Sequence, residues 1–161
     1  MITNSIFVTH IRYGILCWGR ADKTYVKQIE ILLNKAIRCI NFYKRGEDRT
    51  TELYYKDKLL KFKDIFNLEL AKFMFKFTNG TLPECFSQYF TPTSTIHTHN
   101  TRNVINKLFI PRMNKKQGHQ TISFLGSLCW NSIPDEIKKA KYIKSFTKKY
   151  KSNLLKLYEN K

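Results

Sequence analysis

The side chains best placed by type to do chemistry lie in Ile96-His97-Thr98-His99-Asn100-Thr101-Arg102. Two imidazoles, an amide and a guanidinium this close together suit three tasks. His97 and His99, joined by Cys85, His119 or Cys129, would offer zinc ligands, but His-x-His is a weak pattern and no second ligand pair has metal-like spacing. A His-Asn nuclease of the ββα-metal type needs a hairpin, a helix and a further His in register, and the order of the chain does not supply them. What remains is an irregular loop whose Asn, Thr and His side chains hydrogen-bond its own backbone. That arrangement leaves Arg102 able to grip a phosphate with its planar fork. No metal and no cofactor are expected.

Polymerase or two-metal nuclease chemistry needs clustered carboxylates to hold Mg²⁺ between phosphate oxygens. Two adjacent acid pairs occur, Glu47-Asp48 and Asp135-Glu136. The first sits among basic residues, and the second reads as a helix start. There is no aromatic-x-Asp-Asp turn, so the chain is not expected to be an enzyme on its own.

Charge points the same way. The chain has 161 residues, 29 Lys+Arg against 12 Asp+Glu, and a net charge of +17. The excess is uneven: residues 1–100 hold 15 basic and 9 acidic residues, whereas residues 101–161 hold 14 and 3. Seven of the basic residues are Arg and the rest Lys, as an AT-rich genome would encode. Codon bias does not account for the scarcity of acids after position 100, so a polyanion-facing C-terminal third is expected. Hydrophobic residues make up 42% of the chain, enough to bury a core. Its longest stretches without Lys, Arg, Asp or Glu, Cys85–Thr101 and Gln117–Pro134, are broken by Pro, Gly, Ser, Thr or His, so no membrane span is expected. The start of the chain lacks the layout of a signal peptide. Cys17, Cys39, Cys85 and Cys129 are scattered without a CxxC pair. An intracellular setting, nucleus or cytoplasm, with reduced thiols is the simplest expectation.

The elements that must position these residues are mainly helical. His10–Trp18 is a short apolar run closed by Gly19. Asp22 or Thr24 caps a helix to about Tyr43, with Tyr25, Ile29, Leu32, Leu33, Ala36, Ile37 and Ile40 as a buried face. A brief helix starts at Thr50 or Thr51. Phe62–Thr78 is apolar on more than one face, marking a central helix ended by Asn79-Gly80. Pro83 opens a short helix to Phe90. Residues 107–112 and 119–124 read as the strands of a small β-hairpin near residues 107–124. Leu125–Trp130 is helical, and Pro134 opens a short helix with Asp135 and Glu136 in its first turn. Ser145 caps a last helix to about Tyr158. On it Ile143, Phe146, Tyr150, Leu154 and Leu157 form an apolar stripe, with Lys144, Lys148 and Lys151 in a row. That row suits a phosphate backbone as well as it suits plain solvation. The expected organisation is a helical region over 1–90, an irregular linker over 91–106, and a hairpin with basic C-terminal helices over 107–161.

An ordered set of peptides resembles the C-terminal, thumb and post-thumb region of reverse transcriptases of non-LTR retrotransposons, the jockey-like LINE class. The set comprises Tyr13-Gly14 with Cys17-Trp18-Gly19, Gln28–Ile40 around Asn34-Lys35-Ala36-Ile37-Arg38, and Lys63-Asp64-Ile65 to Lys76-Phe77. It continues through Leu82-Pro83, Tyr89-Phe90, His99-Asn100-Thr101-Arg102, Phe109-Ile110-Pro111-Arg112 and Trp130-Asn131-Ser132-Ile133-Pro134, with Phe146 and the lysines after it. The resemblance implies an RNA-directed DNA polymerase whose catalytic aspartates lie in a palm ahead of this region, so that this chain is a non-catalytic fragment. It implies a role in holding template RNA or target DNA. On that basis His99, Asn100, Arg102, Arg112, Lys144, Lys148 and Lys151 are the expected nucleic-acid-binding residues. The alternative is a structural module that packs on the missing polymerase palm without binding nucleic acid, in which case it should expose apolar surface.

Overall fold

The computed structural model describes residues 7–42, 50–96 and 107–159. Regular structure there is helical: α1 (Thr9–Arg12), α2 (Ile15–Trp18), α3 (Lys23–Ile40), α4 (Thr50–Lys56), α5 (Phe62–Thr78), α6 (Thr93–Ile96), α7 (Ile122–Ser132), α8 (Asp135–Lys138) and α9 (Ile143–Glu159). Two compact units share the chain, one of residues 1–69 and 149–161, the other of residues 70–148. The division falls inside α5 and α9.

In the first unit, α3 starts where its sequence says it should. The Asp22 carboxylate accepts the Thr24 N–H at 2.9 Å, satisfying one of the orphan donors of the first turn. That bond holds the Asp22 carboxyl below its usual range. Of the apolar residues expected to be buried on α3, Leu33 and Ile37 are. Tyr25, Leu32 and Ile40 are instead 65, 63 and 44% exposed. The core of this unit joins Ile15, Leu33 and Ile37 to Leu53, Leu60, Phe62, Ile65 and Leu154. Trp18 packs its ring 5.7 Å from that of Phe62. Gly19 permits a close approach: a Cβ there would stand 2.7 Å from Phe66 and 2.5 Å from the Ile15 carbonyl.

In the second unit the aromatic side chains make the core. Phe75 stacks on Phe146 at 4.5 Å, and Trp130 lies 6.2 Å from the same ring. Phe77 and Phe73 pack on Phe90 at 4.7 and 6.3 Å. α5 ends at Gly80, whose φ of +64° suits the left-handed cap. The Gly80 and Thr81 N–H groups return to the carbonyls of Phe77 and Lys76 at 3.0 and 2.9 Å. Glu84–Tyr89 is a 3₁₀ helix entered from Pro83.

The expected β-hairpin does not form: no strand occurs among the described residues, and the one isolated bridge joins Pro92 to Leu108. Gly118–Gln120 is a 3₁₀ turn, and the following residues already belong to α7. Two sets of hydrogen bonds engage the first expected strand elsewhere. Along one edge, Phe109 N–H donates to the Thr91 carbonyl at 2.8 Å and Thr93 N–H to the Lys107 carbonyl at 3.0 Å. On Leu108 itself, the Asn131 side chain takes the remaining backbone groups, its Oδ1 accepting the N–H at 2.9 Å and its Nδ2 donating to the carbonyl at 2.8 Å. Leu108 therefore has no main-chain group left for a hairpin partner. Ser145, expected as a cap, lies in the first turn of α9, whose Phe146 N–H bonds the Tyr142 carbonyl at 3.0 Å.

Candidate nucleic-acid interface

His97, His99, Asn100 and Arg102 lie outside the described residues. The other expected contacts are placed. Arg112 is exposed on the extended segment that follows Leu108, with Lys107, Phe109 and Ile110 also at the surface. That segment is tied down by the Asn131 clamp and by the Thr91 and Thr93 bonds. Lys144 and Lys148 are exposed on α9, one helical turn apart. Fully buried Phe146 anchors this part of the helix against Phe75 and Trp130. Neither lysine has an acidic partner among the described residues. Lys139 and Lys141 are likewise exposed, whereas Lys138 is engaged. Its Nζ stands 3.3 Å from Asp135 Oδ1 and 5.5 Å over the Trp130 ring, a cation–π contact. Asp135-Glu136 thus begins α8, as its sequence suggested.

Lys151 differs from its neighbours in the row. It is half-buried in the first unit, and burial lowers its pKa, helped by the positive charges of Arg12 and Lys58. The Arg12 guanidinium also faces Glu69, at 3.5 Å. The apolar stripe of α9 is buried at Phe146, Tyr150 and Leu154, while Leu157 is 57% exposed. Further along, the Tyr158 hydroxyl donates to Asp64 and accepts the Lys61 N–H at 3.0 Å. Burial and the Asp64 bond push the Tyr158 phenol well above its ordinary value.

Sequence reasoning missed two features. One is the Asn131 clamp, whose signal was an amide set among apolar residues between Trp130 and Ile133. The other is a polar pocket of about 320 Å³ in the first unit, lined by Glu30, Asn34, Thr50, Thr51, Tyr54 and Lys61. Lys61 Nζ donates to Thr51 Oγ1 at 2.7 Å, Arg38 to Thr50 Oγ1 at 2.9 Å, and Tyr54 to Asn34 Oδ1 at 3.0 Å. Burial, then the Glu30 charge, raises the Tyr54 phenol to about 12. These three bonds tie the pocket's polar side chains to one another. Among the described residues Arg38 Nε stays buried without a hydrogen-bond partner, and no nucleophile in the pocket is paired with a base.

Among the described residues no group of three or more His, Cys, Asp or Glu could hold a metal. Cys17, Cys39 and Cys85 are free, exposed thiols. No described helix is long and apolar enough to cross a membrane. Comparison with protein-family models, curated proteins and solved structures found no match.

Proposed function

We propose that this chain is a non-catalytic C-terminal piece of a non-LTR retrotransposon reverse transcriptase, and that it holds template RNA or target DNA by the phosphate backbone. The observation that carries the binding is the uncompensated basic surface of the second unit. Residues 70–148 hold 12 basic and 3 acidic residues. Lys107, Arg112, Lys115, Lys116, Lys139, Lys141, Lys144 and Lys148 are exposed, the last two on a helix anchored by buried Phe146. Lysines of this kind contact phosphates without reading bases, so binding tolerates sequence. The family origin rests on the ordered peptides, above all Trp130-Asn131-Ser132-Ile133-Pro134. In that peptide Trp130 and Ile133 are buried, Asn131 clamps Leu108 and Pro134 leads into α8.

The test is fluorescence anisotropy with labelled single-stranded RNA and duplex DNA of unrelated sequences. Similar affinities for all of them, weakening with salt, are expected. No binding at about 50 mM salt, where phosphate contacts are strong, would overturn the proposal. The alternative, a module that packs on a polymerase palm, draws on a different observation: the apolar residues that α3 leaves exposed in the first unit.

A further inference from the structure

In the first unit, α1, α2 and α3 border an open apolar groove of about 770 Å³. Phe7, Ile11 and Trp18 line one side, and Ile29, Leu32 and Ile40 the other. Phe7, Leu32 and Ile40 are 46, 63 and 44% exposed. Leu33 and Ile37 carry α3 into the core, so Ile29, Leu32, Ala36 and Ile40 form a second apolar stripe, repeating at three and four residues. A stripe of this kind left uncovered marks an interaction surface. A groove beside a helix is the usual seat of an amphipathic helix with anchors at i, i+3, i+4 and i+7.

Charge selects among occupants. Among the described residues, the titratable groups that line the groove include Lys35 and His10 and no carboxylate. Glu30, the one acid in α3, lines the separate polar pocket. A second copy of this chain would bring a Lys35 from each protomer into one two-fold seam, between chains of net charge +17. An acidic helix would meet complementary charge instead.

We infer that the groove bordered by α1, α2 and α3 docks an amphipathic helix whose apolar anchors are flanked by acidic residues. The inference deepens the packing-module reading and is independent of nucleic-acid binding.

The experiment uses the full chain and three synthetic helical peptides. The first has Leu at i, i+3, i+4 and i+7 with flanking Glu. The second replaces each Glu by Lys, and the third each Leu by Ser. The Glu peptide should bind, more weakly as salt rises, and the other two at least about tenfold less well, which is about 1.4 kcal/mol. Leu32→Gln should weaken the Glu peptide by a similar factor and leave the circular dichroism unchanged, because Leu32 is mostly solvent-facing. Cys39 lines the groove and is exposed, so bound peptide should slow its maleimide labelling and leave exposed Cys85 of the second unit unaffected. Equal binding of the Glu and Lys peptides would overturn the acidic partner and leave the packing-module reading standing. Binding without Cys39 protection would overturn the groove as the site. Failure of both charged peptides to bind the folded chain would remove both readings. A dimer that protects Cys39 without peptide would replace the acidic helix by a second copy.

Discussion

Asn131 does the work of a strand with one side chain. Its amide is fixed in orientation because the Leu108 N–H needs an oxygen and the Leu108 carbonyl needs a donor, and Leu108 is buried. Asn131→Ala leaves both backbone groups without partners, each costing about 1–3 kcal/mol. We expect urea denaturation to show a loss of about 2 kcal/mol or more. Asn131→Asp should lose nearly as much, since a carboxylate has nothing to donate to the Leu108 carbonyl. A midpoint unchanged in both variants would show that water replaces the amide without cost. Lys151 calls for a different variant, because its stem packs while its charge is opposed by burial, Arg12 and Lys58. Lys151→Met keeps the stem and removes the charge, so it should raise the denaturation midpoint at neutral pH. The folded pKa is depressed below the ordinary value of 10.5. Between those two values the unfolded chain binds the extra proton, so the parent gains stability as pH rises. The advantage of Lys151→Met should therefore shrink through that window and vanish above it. Constant advantage across alkaline pH would show that the charge is not the cause.

Helix α7 shows how a single close approach decides an element. Gly126 is buried in it, and a Cβ there would stand 2.6 Å from Met74 Sδ and 2.7 Å from the Phe90 ring. Gly126→Ala should raise local helix propensity by about 1 kcal/mol yet force those side chains apart at a cost of about 1–3 kcal/mol. Net destabilisation is expected, with the calorimetric Tm lower than the parent's. A higher Tm would mean that Met74 moves aside freely. The same contact explains what the sequence could and could not disclose. α3, α5 and the stop after α5 were legible because their signals are local: the Asp22 cap, the apolar periodicity and Gly80 in a left-handed turn. α7 was misread at its start because Thr121-Ile122-Ser123-Phe124 alternates like a strand, and what overrides the alternation is packing on Met74 and Phe90, far away in sequence. α3 was legible as amphipathic, but periodicity does not say what covers an apolar face, and part of that face stays open. Of the binding row, the exposure of Lys144 and Lys148 follows from their spacing around Phe146. The half-burial of Lys151 does not, because it is set by tertiary packing, and the charges of Arg12 and Lys58 that act on it come from distant parts of the chain.

For the whole molecule, the proposed backbone binding makes a quantitative demand. A chain that neutralises phosphates releases counterions, so log affinity should fall linearly with log salt, by about 0.9 per phosphate on duplex DNA and about 0.7 on single strands. Exposure divides the basic residues into contributors and bystanders. Lys144→Gln and Lys148→Gln should each lower the slope by about one unit or less, and by similar amounts on every sequence. Lys151→Gln should lower it less, since its amine is half-buried beside two other cations. Arg112→Gln should act as Lys144→Gln does, because Arg112 is also exposed on a tethered segment. Arg102, next to His99 and Asn100, is proposed to hold one phosphate through its fork, so Arg102→Lys should cost more affinity than any single Lys→Gln change on α9. Isothermal titration or anisotropy at four or more salt concentrations measures all of these slopes together. Parent-like slopes in a Lys144→Gln, Lys148→Gln double variant would make the exposed face of α9 a solvated surface and move the interface elsewhere on the chain. A slope near zero for the parent would mean that its positive charge serves solubility alone, and the backbone-binding proposal would fall with it.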